Sequence, residues 1–540
     1  MDKKTLLAFI LIGVILLLTP KYQEWMIGSK GVPKVSPILS ANQGSPSPKN
    51  PSGIAQLKSM ELPLFPDSLS LLGGPEQEVI LENDLFVSRW TTRGGILRSW
   101  VLKGFKDGSR LHPVELMGPG GVACVLTVGG DVLSNLIFHP SHDSITVREN
   151  QTAILSWTAQ WKNSIIEKQI KIVGNRYDFD VEVFIHGPAS DQKCGLEWHG
   201  GMGHSESPTT NEMAQTKIIT FMGGVLENWN IDQAKSSRSR PSGEGGWIGL
   251  RNKYFLVAFL SERQGNYGMV LQGKDLDGIQ SFNFGLVSDS EKGSWHGSLY
   301  GGPISYSILD QYYNGELHQT MSWGWEFARG LMEPIGVGIL KIFLAIHDLV
   351  PNYGLVIILF SILVKIALYP LTHKSYEATG RMQEVQPQIA ALREKYQNDQ
   401  QRLNQEMMKL YKEQGINPLG GCLPVLFQMP ILFALFNVFQ NAIELRQAPF
   451  MGWINDLSQP EDLSVAGYPL HILPVLMAVT MFLQQRTTIK DPNQKMMVYL
   501  MPLMMIFFFW KMSSGLVLYW TMFNLLSWAQ QIGIDLSRKR

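Results

Sequence analysis

Carboxylates are missing from the apolar runs that follow residue 350. That excludes proton-coupled pumps and intramembrane aspartyl proteases, whose chemistry needs a buried acid at membrane depth. Cysteine is scarce: Cys124, Cys194 and Cys422 lie far apart, with no CxxC and no ligand-like spacing, so no zinc or iron–sulfur motif is present. Cys124 and Cys194 fall in one region; they either pair in an oxidising compartment or stay as two buried thiols. HExxH, the P-loop and the GxSxG elbow are all absent, and nothing in the sequence supports an enzymatic reading. His199 and His204 in HGGMGH lack the i, i+4 spacing of a helical metal site. Net charge is also absent, 46 basic residues balancing 46 acidic ones, so no global field argues for nucleic acid.

The neutral total hides two unlike halves. Residues 5–19, TLLAFILIGVILLLT, follow Lys3 and Lys4. Tyr22 and Trp25 follow, without a small-x-small cleavage site, so residues 1–27 read as an uncleaved anchor rather than a signal peptide. Residues 28–54 are rich in proline and serine and read as a linker. Residues 55–325 read as β: in RYDFDVEVFI, Tyr177, Phe179, Val181 and Val183 alternate with Asp178, Asp180 and Glu182, the period-two pattern of a half-buried strand. Repeated GlyGly pairs punctuate short runs, which suits a large antiparallel sandwich. Residues 326–350 are apolar yet carry Glu333, Lys341, His347 and Asp348, the composition of a helix lying in the interface.

Five apolar spans then fill residues 351–535: about 353–371, 423–443, 468–484, 496–510 and 515–531. With the anchor they total six, placing both termini on one side. Basic residues crowd 372–419, the loop after 468–484 (Arg486, Lys490 and Lys495) and the chain end, whereas 444–466 has only Arg446; Lys511, in the turn between the last two spans, is the exception. The positive-inside rule sends the basic segments to the cytoplasm and the β domain outside. Within 373–417, Met382, Val385, Ile389, Leu392 and Tyr396 form one stripe and Leu403, Met407 and Leu410 a second, the pattern of a two-helix hairpin, with Pro387 a kink or restart. Two spans, 496–510 and 515–529, offer only ~22 Å of apolar helix against a hydrocarbon core of ~30 Å, and Pro430, Pro474 and Pro502 are expected to kink theirs. Eleven of the 24 methionines lie between Met429 and Met522, a surface suited to varied apolar partners or ordinary gap-filling.

One residue breaks the pattern. In SILVKIALYPL, Lys365 sits inside an apolar run, where an ammonium costs roughly 2.5–3.5 kcal/mol. Snorkelling is one answer, because the cytoplasmic end is near. Helical side chains lean toward the N-terminus, however, which turns Lys365 back into the bilayer beside Ser361, one turn away. A wetted, protein-lined cavity therefore accounts better for the charge. Gln428, Asn437 and Asn524 add polar groups in other spans, each alone best read as interhelical glue but together able to line a groove.

The segments YPLTHKSYEATGRMQEVQPQIAALREKY, INPLGGCLPVLFQMPILFALF, ELRQAPFMGWINDLS and SSGLVLYW resemble the YidC membrane-protein insertases over essentially the whole chain. The resemblance implies a polytopic α-helical membrane protein: an N-terminal anchor plus a five-helix core with a cytoplasmic helical hairpin, carrying a large periplasmic β-sandwich domain, as in Gram-negative members. It implies insertion and folding of nascent membrane proteins into the bacterial inner membrane through a half-membrane hydrophilic groove, alone or with the Sec translocon, without nucleotide or metal. Expected partners are nascent chains, the ribosome near the hairpin and basic C-terminus, and membrane lipids. The family carries an arginine where this chain has Lys365, which keeps the charge but loses the five-donor fork. Trp520 stands in the last span where relatives carry a tyrosine at the substrate contact, and Tyr519 beside it is expected to line the groove as well. The rival reading, a small-solute transporter or channel, calls for an inverted repeat and a through-going polar path; neither is visible between the spans.

Overall fold

The computed structural model describes residues 76–539 apart from 208, 236–237, 264, 277–278, 290–292, 325–327, 417–422, 462, 466–467 and 490–494. The expected anchor, the linker and the NPLGGC motif with Cys422 lie outside the described residues. Two compact units emerge, one β and one helical.

The β unit is a sandwich of an 11-stranded and a 9-stranded sheet among the described residues. Pairings are antiparallel apart from Glu78–Glu82 against Ser144–Thr146. Strand Asp178–His186 buries Phe179, Val181, Val183 and Ile185, as the period-two pattern requires. Asp178 is also buried, tied to Arg176 and to the Tyr312 hydroxyl. Both sheets feed one core that holds Trp90, Trp100, Trp157, Trp198 and Trp295. The GlyGly pair at 301 is not a turn but lies within strand Ser294–Pro303, near its C-terminal end. A Cβ on Gly301 would stand 2.5 Å from the Trp100 ring, so only glycine lets that indole fill the space between the sheets.

Cys124 and Cys194 are free and buried. Register explains why they do not pair. Cys194 faces Val128 on the neighbouring strand, whereas Cys124 lies beside the bulge at Glu197 and Trp198. Four residues of strand, ~13 Å, separate the two levels, about twice the Cα spacing a disulfide spans. Burial pushes the Cys124 thiol up to about 11 and that of Cys194 up to about 12. Both should resist maleimide in the folded protein at pH 7 and react once it is unfolded; fast labelling of either in the native state would contradict this burial.

A lysine lies between these thiols. Strand Ser164–Val173 presents Ile166, Lys168, Ile170 and Ile172 on its buried face. Lys168 Nζ donates to the carbonyls of Gly95 (2.7 Å) and Cys124 (2.9 Å) and stands 5.5 Å from the Trp90 ring centroid. These partners are in the opposite sheet, so one ammonium ties the two layers together. Burial holds it below the ordinary lysine range.

The helical unit contains α1 (Arg329–Leu349), α2 (Tyr353–Ala367), α3 (Tyr369–Glu384), α4 (Gln386–Lys395), α5 (Gln400–Glu413), α6 (Leu423–Asn441), α7 (Ile472–Thr488), α8 (Lys495–Phe509) and α9 (Ser514–Lys539). Among the described residues, α1 is long and apolar enough to cross a membrane. Its 21 residues therefore suit a crossing as well as the interfacial placement expected from its charges. The expected span 353–371 is instead a helix of 15 residues, followed by a 65° bend into α3. Pro370 stands second in α3, where its missing N–H and ring block continuation of α2. Val385 interrupts the chain before Pro387, second in α4, so the hairpin stripe restarts rather than kinks. Val385, Ile389 and Leu403 are buried, and α4 packs on α5. Pro430 and Pro502 lie inside their helices, whereas Pro474 occupies the first turn of α7, a position that tolerates proline without a kink. Helix α8 has the short expected length of 15 residues, but α9 runs for 26, well beyond its apolar part.

Candidate functional site

The cap at Asn352 starts α2: its side-chain oxygen accepts from Leu355 N, and its amide donates to the Phe450 carbonyl. Gly354 follows, and a Cβ there would meet the Phe450 ring at 1.9 Å. These contacts fix the rotation of α2. Val356, Ile357, Phe360, Ser361, Val364 and Lys365 consequently face inward, while Leu355, Leu359 and Ile366 face out. Helix α2 packs on α9, which packs in turn on α7.

Lys365 is only 7% exposed. Its Nζ donates to Ser527 Oγ at 2.8 Å, and the rings of Phe523 and Tyr376 have centroids 4.8 and 5.8 Å away. Ser527 spends its own proton on the Phe523 carbonyl at 2.7 Å, so its oxygen is free to accept from the ammonium. The Tyr376 hydroxyl interacts with Ser527 and with Gln484 of α7. Ser527 is the hydrogen-bond partner of Nζ among the described residues, which leaves two of its three donors unspent. Aromatic faces and one hydroxyl thus offset part of the desolvation cost without neutralising the charge.

Beside this ammonium lies a cavity of about 390 Å³. Lys365, Ile366, Tyr369, His373 and Glu377 line one wall from the α2–α3 bend; Gln530, Gly533, Ile534 and Ser537 line the other from α9. Lys365 is its most N-terminal lining residue on α2 and Gln530 on α9, so the lysine forms one end of the cavity. The 65° bend opens the space. Beside it, Gln530 Nε2 donates to Thr372 Oγ1 at 3.1 Å, tying α9 to α3.

Of the seven residues expected to line a groove, Lys365 borders this cavity. The Ser361 hydroxyl donates to the Ile357 carbonyl of its own helix and makes no patch with the lysine, which crosses to α9 instead. Asn437 donates to the carbonyls of Phe433 and Trp323, bracing the segment before α1. Gln428 is half-buried on α6. Tyr519 is buried among Phe360, Phe439 and Phe523, and the Trp520 ring lies 5.2 Å from that of Phe509. The Tyr519 hydroxyl and Asn524 Nδ2 have no hydrogen-bond partner among the described residues. The sequence reading missed Tyr376, Ser527, His373 and Glu377. Tyr519, Phe523, Ser527, Gln530 and Ile534 step by 4, 4, 3 and 4, one helical face, and that stripe was the available signal for Ser527.

Comparison with known proteins fits both halves. Residues 345–539 match the family described as 60Kd inner membrane protein, and residues 78–335 match the YidC periplasmic domain. The membrane protein insertase YidC of Pelodictyon phaeoclathratiforme is 32% identical over 99% of this chain and 95% of its own length. That of Prosthecochloris aestuarii is 33% identical over 98% and 94%, and that of Chlorobium limicola 34% identical over 86% and 83%. With full-length relatives above the level at which a family is secure, and both its β and helical regions matched in order, the chain belongs to the YidC family of membrane protein insertases.

Proposed function

We propose that this inner-membrane insertase, with its periplasmic β domain, lowers the cost of moving a polar segment outward by offering it the Lys365 cavity. The observation that carries this reading is a charged side chain with unspent donors at the end of a cavity otherwise walled by helices. In hydrocarbon a polar tail loses its hydration; in the cavity, water and the lysine ammonium replace part of it. An apolar span then leaves sideways into lipid past the exposed faces of the helices, downhill by burial of apolar surface. No nucleotide enters this scheme.

The basic hairpin and C-terminus favour a topology with the open end of the cavity and both termini in the cytoplasm and α1 at the outer interface. The ribosome would then deliver nascent chains at the hairpin, with the Sec translocon as a lateral partner for larger substrates. Photo-crosslinking tests the reading. Probes at Ile366 or Gln530 should capture the polar tail of a stalled nascent chain, and a probe at Leu359 on the outward face should not. Tail adducts from Leu359 alone would overturn it.

A further inference from the structure

The cavity is not simply positive. Tyr369, His373 and Glu377 line it at four-residue steps along α3, so they share one helical face and carry the wall ~12 Å from the bend toward the mouth. Glu377 is half-exposed and stands 3.7 Å from His373 Nε2, and the His373 ring stacks on Tyr369 with centroids 5.6 Å apart. A cation therefore lines the cavity from α2, and a carboxylate beside an imidazole lines it two turns along α3.

We infer that Glu377 is a specificity-determining residue that holds the basic flank of a substrate's apolar segment at the cytoplasmic mouth. The inference rests on the cavity reading above and adds a second contact to it. A segment that enters this cavity meets opposite fields at its two ends. An acidic flank is drawn past the mouth toward Lys365, whereas a basic flank is repelled by Lys365 and attracted by Glu377. The attraction is that of a partly exposed pair in water, so it sorts flanks rather than binding them tightly. Arranged this way, the cavity itself favours the positive-inside orientation of what it inserts.

The experiment uses the full chain in proteoliposomes. Two substrates share one acidic tail and one apolar segment; their cytoplasmic flank carries either two arginines or two glutamines. The ratio of protease-protected product, arginine flank over glutamine flank, should fall roughly two- to fivefold in Glu377→Gln. It should fall further in Glu377→Arg and return to the parent value in Glu377→Asp. A variant that merely misfolds lowers both products together, whereas an unchanged ratio at the parent's yield of the glutamine-flank product overturns the inference. Lys365→Ala on the same substrates separates the two claims. Loss of acidic-tail insertion there with an unchanged Glu377 ratio sinks the mouth contact alone. Normal insertion there sinks the cavity reading as well.

Discussion

Replacing Lys365 with glutamate should lower insertion of a substrate with a short acidic tail at least tenfold. Arginine should keep insertion within about twofold of the parent, and alanine should fall between them. The ordering follows from charge. Two unit charges ~5 Å apart at an effective dielectric constant near 20 interact by about 3 kcal/mol. Glutamate turns that attraction into repulsion, so a tenfold loss, about 1.4 kcal/mol, is a modest demand. Alanine removes the attraction but leaves the cavity and its water. Arginine suits the surroundings of the lysine: Phe523 and Tyr376 offer ring faces to a guanidinium, and Ser527 an acceptor. The measurement is protease protection of the tail in proteoliposomes holding equal amounts of each variant. Normal insertion by the glutamate variant would refute the electrostatic role. A substrate with a neutral tail should respond much less, because only the hydration part of the benefit remains.

Sequence patterns declared elements in this chain and left contacts unsaid. The alternation of Phe179, Val181, Val183 and Ile185 was legible because strand faces follow a period of two whatever the partner strand is. Pro387 was legible as a kink or restart through local sterics, whereas the restart at Pro370 went unread inside the expected span 353–371. Lys365 stood out because a charge in an apolar run is costly in any fold. Its partner did not, since Ser527 lies 162 residues away and only the packing of α2 on α9 brings the two together. Glu377 was hidden for a related reason: the run after Pro370 reads as cytoplasmic hairpin, and only the bend folds its first turns back over the cavity. Ser361 fails in the opposite sense. Proximity along the helix suggested a patch with Lys365, but a serine inside a helix satisfies itself most cheaply on the carbonyl four residues back. Lys168 was in view all along in SIIEKQIKIV, on the same face as Ile166 and Ile170.

That second buried lysine supports a stability prediction in which competing effects must be weighed. Methionine at 168 keeps most of the volume and removes the ammonium. The carbonyls of Gly95 and Cys124 then lose a donor, at about 1–3 kcal/mol each, while the desolvation cost of the ammonium, several kcal/mol, disappears. The two changes oppose each other, so Lys168→Met should unfold within about 1 kcal/mol of the parent at pH 7. Alanine orphans the same carbonyls and also empties the site of three methylenes, at about 0.8 kcal/mol each before any cavity term. Lys168→Ala should therefore lose about 3 kcal/mol. The pH dependence has a definite sign. Burial lowers the folded-state pKa of Lys168 beneath its unfolded value near 10.4, so between those values the unfolded chain binds more protons than the folded one. Stability from this group rises with pH across that window, is complete above about 10.4, and is lost as pH falls through the folded value. Both variants should lack that rise. Denaturant unfolding of the full chain in detergent, followed by tryptophan fluorescence with Trp90 beside the lysine, measures both quantities. An alanine variant as stable as the parent, with an unaltered alkaline slope, would mean that Lys168 does not join the two sheets in solution.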